Sequence, residues 1–192
     1  MSCQSSHCPL SDVAKTYLDV FSCILETMIK EMTEAALSDS VSHNFIVQMI
    51  PHHRAAIEMS NNILKYTTDL AVQNIATQII KEQTQSIEDM QNMLPRCECM
   101  KNTREALCLY NRQMNRIMQT MFSAMGAACA TNQLNTDFLR EMIPHHRGAV
   151  EMSRLTLQYP VCPELTPILE SIIAEQERGI MQMQHLLFYG TC

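Results

Sequence analysis

Residues 48–60 read QMIPHHRAAIEMS, and 93 positions later, at 141–153, the chain reads EMIPHHRGAVEMS. The correspondence continues without a gap. Phe45 falls on Phe138, Tyr66 on Tyr159, Ile79-Ile80 on Ile172-Ile173, Glu82-Gln83 on Glu175-Gln176, and Ile87, Met90 and Leu94 on Ile180, Met183 and Leu187. Upstream, Tyr17, Met28 and Met32 fall on Tyr110, Met121 and Met125. A constant offset over this length means that one structural unit is written twice, so whatever fold the first half takes the second must also accept.

The unit reads as three helices. Apolar residues recur every three to four positions in 11–37 (Tyr17, Phe21, Ile24, Met28, Met32), where Ser11 is placed to cap, and in 69–94 (Val72, Ile75, Ile79, Gln83, Ile87, Met90, Leu94), which Pro95 should close. The middle helix, 41–66, starts near Ser42 and carries the motif. The second copies fall at 103–128, 133–158 and 164–189. With four glycines, no tryptophan and few strand formers, little is left for a sheet. The expectation is an all-α bundle of two tandem three-helix repeats, 1–96 and 97–192, joined by short turns that force antiparallel neighbours and packed as one domain.

A net charge of −6 argues against nucleic acid and anionic membrane surfaces as partners and favours cations. No apolar run approaches the roughly 20 residues that span a bilayer, and the first twenty residues lack the basic and apolar regions of a signal peptide. A cytoplasmic location is therefore expected, unless a leader has been removed. Homo-oligomerisation is left open. Nine cysteines in an odd count suit reduced thiols better than a fully paired disulfide framework.

Helix geometry tells what the motif can do. At about 100° per residue, Met49 sits one turn above and between His52 and His53, so one imidazole can point into the bundle while the other reaches a neighbouring helix. Met59 repeats the direction of His52 two turns on, and Met90 on the following helix can add a sulfur. Pro51, lacking an amide, frees a carbonyl one turn earlier. Thioethers select soft ions, above all Cu(I), and imidazole accepts copper readily. The candidate metal ligands are Met49, His52, His53, Met59 and Met90, with Met142, His145, His146, Met152 and Met183 in the second copy.

Other features fit plainer roles. The stripe Met114, Met118, Met121, Met125, together with Met28 and Met32, reads as core. Arg54 and Glu58 read as a surface i,i+4 pair, with Glu58 or Glu151 orienting a histidine as the minority view. His43 and His185 have no histidine counterpart. The cysteine-rich edges, CQSSHC at 3–8 and CEC at 97–99, are free or disulfide-paired loop cysteines, or segments that acquire and pass on a soft ion.

The assembled pattern, F-x3-M-I-P-H-H-x2-A-x-E-M-S followed by E-Q-x3-I-x2-M, resembles the bacterial domain of unknown function 305 family over residues 44–94 and 137–187. The resemblance implies a ferritin-like helical bundle, a link to copper binding or copper resistance, and no established enzymatic activity. A protein that sequesters Cu(I), with copper ion as its ligand, is the leading expectation. A ferritin-like oxidoreductase using Glu82, Glu175 and the histidines, and a metal-free helical interaction protein, are the alternatives.

Overall fold

The computed structural model describes residues 9–97 and 100–189, and these form six helices with no strand among them. They are α1 (Asp12–Thr33), α2 (Val41–Ile63), α3 (Leu70–Cys97), α4 (Arg104–Gly126), α5 (Leu134–Thr156) and α6 (Leu165–Tyr189). No helix of the described residues is long and apolar enough to cross a membrane.

The chain's polar residues set the helix limits. Ser11 caps α1 by accepting from the Ala14 amide at 3.1 Å, and Thr103 caps α4 by accepting from Ala106 at 3.2 Å. Each satisfies a donor left free at a helix start. α1 stops at Thr33 rather than near 37, because Asn44 clamps the following turn, accepting from the Ser38 amide at 2.7 Å and donating to its carbonyl.

Two expected boundaries are corrected. α2 does not start at Ser42 but at Val41, with Ser40 as its cap, and the Ser42 hydroxyl accepts from the Cys162 amide at 2.9 Å. α3 does not close at Pro95 but runs through it to Cys97. A proline in the last turn removes only one helix bond, and the Cys97 carbonyl, free at the helix end, accepts from Ser40 Oγ at 3.0 Å.

α2 and α5 are the inner helices. α2 packs on α1, α3 and α5, while α5 packs on α4, α6 and α2, and α3 meets α6. α2 accordingly buries residues all around its circumference, whereas α1 and α4 bury a single stripe. The stripe of α4, Met114, Met118, Met121 and Met125, is core as expected, and so are Met28 and Met32 of α1. Burying each such side chain contributes roughly 1.5–3 kcal/mol before entropy is counted. Asn102, in the connection between α3 and α4, accepts from the Val41 amide at 2.8 Å and donates to the Pro160 carbonyl at 2.8 Å, tying three segments at one end of the bundle.

Candidate functional site

All ten candidate ligands lie in the interior, none more than 2% exposed. Adjacent histidines on one helix can both be buried only if that helix is enclosed on several sides, and the inner position of α2 and α5 meets this condition. Pro51 and Pro144 do not interrupt these helices. Met49 therefore stays within one turn of both His52 and His53, and Met142 of both His145 and His146.

His52 and His145 meet between α2 and α5. Their ring centroids are 3.7 Å apart with planes inclined by 34°. His52 Nε2 donates to the His145 carbonyl at 3.2 Å, and His145 Nε2 donates to the His52 carbonyl at 3.1 Å. A carbonyl oxygen can only accept, so both rings carry their proton on Nε2 and leave Nδ1 as a bare lone pair. Neither Nδ1 has a hydrogen-bond partner among the described residues.

The second member of each pair turns to an outer helix. His53 Nε2 lies 3.2 Å from Ser86 Oγ on α3. His146 faces Gly179 on α6, where an added Cβ would lie 2.9 Å from its Cδ2 and 3.1 Å from its Nε2. Glycine makes the room that this ring occupies. The Nδ1 atom of His53 also lacks a partner among the described residues, whereas the His146 ring has the Met142 carbonyl one turn back beside it.

Burial holds all four rings neutral. His53 is lowered to about 3 by desolvation, with His145 adding to it. His145 is lowered to about 4 by desolvation, against the bond to the His52 carbonyl. Desolvation, followed by the neighbouring rings, puts His52 and His146 well below the ordinary histidine value. Neutral imidazole is the metal-binding form, so no proton has to leave at neutral pH.

Further unpaired polar atoms lie buried at corresponding positions of the two copies: the hydroxyls of Ser60 and Ser153, and side-chain amide atoms of Gln83 and Gln176. Isolated buried polar atoms cost about 1–3 kcal/mol each. The offset comparison already pairs Gln83 with Gln176, and both serines close the quoted motif, so this signal was present in the sequence. Ser86 left none, because its counterpart is Gly179.

Among the described residues no group of three or more His, Cys, Asp or Glu side chains is arranged to hold a metal ion. A zinc or di-iron centre needs such a group. The interior holds four neutral imidazoles and the six candidate methionines, and imidazole and thioether are donor types that suit soft ions.

The acidic candidates lie elsewhere. Glu58 and Glu151 are exposed and do not reach the buried histidines, and Arg54 pairs with Glu31 of α1 at 3.9 Å rather than with Glu58. Glu82 accepts from Arg178 at 2.6 Å across the α3–α6 seam, and Glu175 accepts from Ser171 at 3.0 Å. His185 is exposed and stacks on Tyr189, and His43 is half-buried beside Asn44. Cys3, His7, Cys8, Cys99 and Cys192 lie outside the described residues, and Cys129 is disulfide-bonded.

Two buried acids, Asp137 and Glu141, were missed by sequence reasoning. Glu141 accepts from the Tyr17 hydroxyl at 2.8 Å, joining α5 to α1, and desolvation raises its carboxyl to about 8 despite that bond. Its counterpart is Gln48, so the offset gave no reason to look there.

None of the curated proteins compared matches the chain. Among solved structures, the crystal structure of a DUF305 fragment from Deinococcus radiodurans is similar, with a TM-score of 0.57 and 24% identity, covering 80% of this chain and 97% of that one. At this identity the likeness speaks for the fold. The family profile described as "Domain of unknown function (DUF305)" matches residues 42–187, from the first turn of α2 to the end of α6 and across all four candidate histidines, and the chain belongs to that family.

Proposed function

We propose that the protein binds and sequesters a soft monovalent metal ion, Cu(I) foremost, in the interior between α2 and α5. The observation that carries this reading is the His52–His145 pair, whose reciprocal carbonyl bonds fix both tautomers and leave two buried Nδ1 lone pairs with no partner among the described residues. His53 offers a third, and Met49 and Met142 bring thioethers within a turn of each pair. Soft thioether donors discriminate against zinc and ferrous iron, and burial excludes competing water. The protein on this reading binds rather than turns over a substrate.

The test is a competition titration of the reduced protein against a Cu(I) chelator, with Zn(II) and Fe(II) in parallel. The reading expects tightest binding for Cu(I), and at least a tenfold loss in the His52→Ala, His145→Ala double variant with helicity kept. Unchanged affinity in that variant would remove the histidines from the site. No binding by the parent protein would leave a metal-free helical bundle whose histidines serve packing alone.

A further inference from the structure

Away from the histidines, the fold brings together one more pair of nucleophilic side chains. Cys97 ends α3 and Cys162 lies in the turn between α5 and α6, and both are buried free thiols. The first turn of α2 holds the two of them. Ser40 Oγ donates to the Cys97 carbonyl at 3.0 Å, and Ser42 Oγ accepts from the Cys162 amide at 2.9 Å. The Cys162 thiol donates to Glu164 Oε2 at 3.0 Å. Both cysteines thus sit against the same turn of α2, and burial, the neighbouring Cys162 thiol and the Glu164 charge push the Cys97 thiol up to about 12.

A single buried cysteine is ordinarily an inert small apolar residue. Here a second thiol lies beside it, and the less enclosed of the two, Cys162, has a carboxylate on its S–H. We propose that Cys97 and Cys162 are a redox-active dithiol that closes to an intramolecular disulfide by exchange with a small disulfide of the glutathione class. The crosslink joins the end of α3 to the α5–α6 turn.

Exchange proceeds in two displacements. Cys162 loses its proton to solvent past Glu164, and its sulfur attacks one sulfur of the small disulfide. The first small thiolate leaves and takes up a proton. Cys97 then loses its proton and attacks the Cys162 sulfur of the mixed disulfide, expelling the second small thiolate, which is protonated in turn. Two protein thiols and one small disulfide become one protein disulfide and two small thiols, with two electrons passed to the small disulfide. The second displacement is the slow one, since Cys97 is the more enclosed and gives up its proton reluctantly.

The experiment uses the full chain carrying Cys99→Ser, so that the tryptic peptide 97–101 holds a single cysteine. The folded protein is incubated with oxidised glutathione, remaining thiols are alkylated in denaturant, and the unreduced digest is analysed by mass spectrometry. The expected result is peptide 97–101 joined to the peptide containing Cys162, released by dithiothreitol, with the thermal midpoint raised by several degrees while the link is intact. In a Cys162→Ser variant Cys97 should remain a free thiol, for lack of an accessible first attacker. Recovery of both cysteines as alkylated thiols, or of either joined to another cysteine, overturns the proposal. So does equal glutathionylation of Cys97 with and without Cys162. If Cys162→Ser fails to fold, the linkage in the Cys99→Ser protein decides alone.

Discussion

His52 and His145 each donate through Nε2 to the other's backbone carbonyl, at 3.2 and 3.1 Å, while their rings stack 3.7 Å apart. Each ring thus fixes the backbone of the helix facing it, and the two interactions form and break together. Replacing His52 by leucine should cost about 1–3 kcal/mol, because the His145 carbonyl loses its side-chain donor in a dry interior. The His52→Leu, His145→Leu double variant should lose less than the sum of the singles, with a coupling of about 1 kcal/mol or more in urea unfolding. Strict additivity would show the reciprocal bonds to be energetically independent.

The outer histidines should respond unequally to their neighbours. Ser86→Ala removes the hydroxyl bonded to His53, whereas Gly179→Ala puts a methyl 2.9 Å from His146 Cδ2. The first should cost about 1 kcal/mol as a lost hydrogen bond, and the second about 1–3 kcal/mol as overpacking. Thermal unfolding and the histidine ring signals in NMR distinguish them, since only Gly179→Ala should displace the His146 ring.

At Gly148 α5 lies close against Met121 of α4. A Cβ there would fall 2.2 Å from Met121 Sδ and 2.8 Å from its Cγ. More than the tip of the methionine obstructs it, so Gly148→Ala should destabilise by about 1–3 kcal/mol despite the better helix propensity of alanine. Met121→Ala in the same chain should recover part of the loss, which calorimetry on the three variants would show.

Stability should fall on both sides of a mid-range pH. The histidines titrate lower in the fold than in the unfolded chain, His53 near 3 and His145 near 4 against 6.5. Their contribution is fully present above pH 6.5 and is lost as pH falls toward 4 and 3, where the unfolded chain takes up protons that the fold refuses. Glu141 works in the opposite sense. Raised from 4.5 to about 8, it contributes fully below pH 4.5 and loses that contribution as pH rises through 8. Glu141→Gln should flatten the decline between 4.5 and 8 while leaving the acid limb unchanged, as urea midpoints across pH would reveal. Tyr17→Phe should steepen the alkaline decline, because the charged carboxylate would lose the 2.8 Å hydroxyl that stabilises it.

The sequence by itself determined the all-helical architecture, the order of six helices and the methionine stripes of α1 and α4, because these follow from local periodicity, capping residues and a constant offset. It also anticipated that each tandem histidine pair would divide between an inner direction and a neighbouring helix, since adjacent residues differ by about 100° around the axis. Its errors at Ser42 and Pro95 were local rules overridden by contacts from far along the chain, with Cys162 engaging Ser42 and Ser40 satisfying Cys97. Only the tertiary structure decided that His52 faces His145 across α2 and α5, that both leave Nδ1 unprotonated, that Ser86 and Gly179 set the surroundings of the outer rings, and that Cys97 meets Cys162. Periodicity tells which face of a helix is buried, whereas the partner on the other side depends on the packing of helices whose residues lie as many as 124 positions apart.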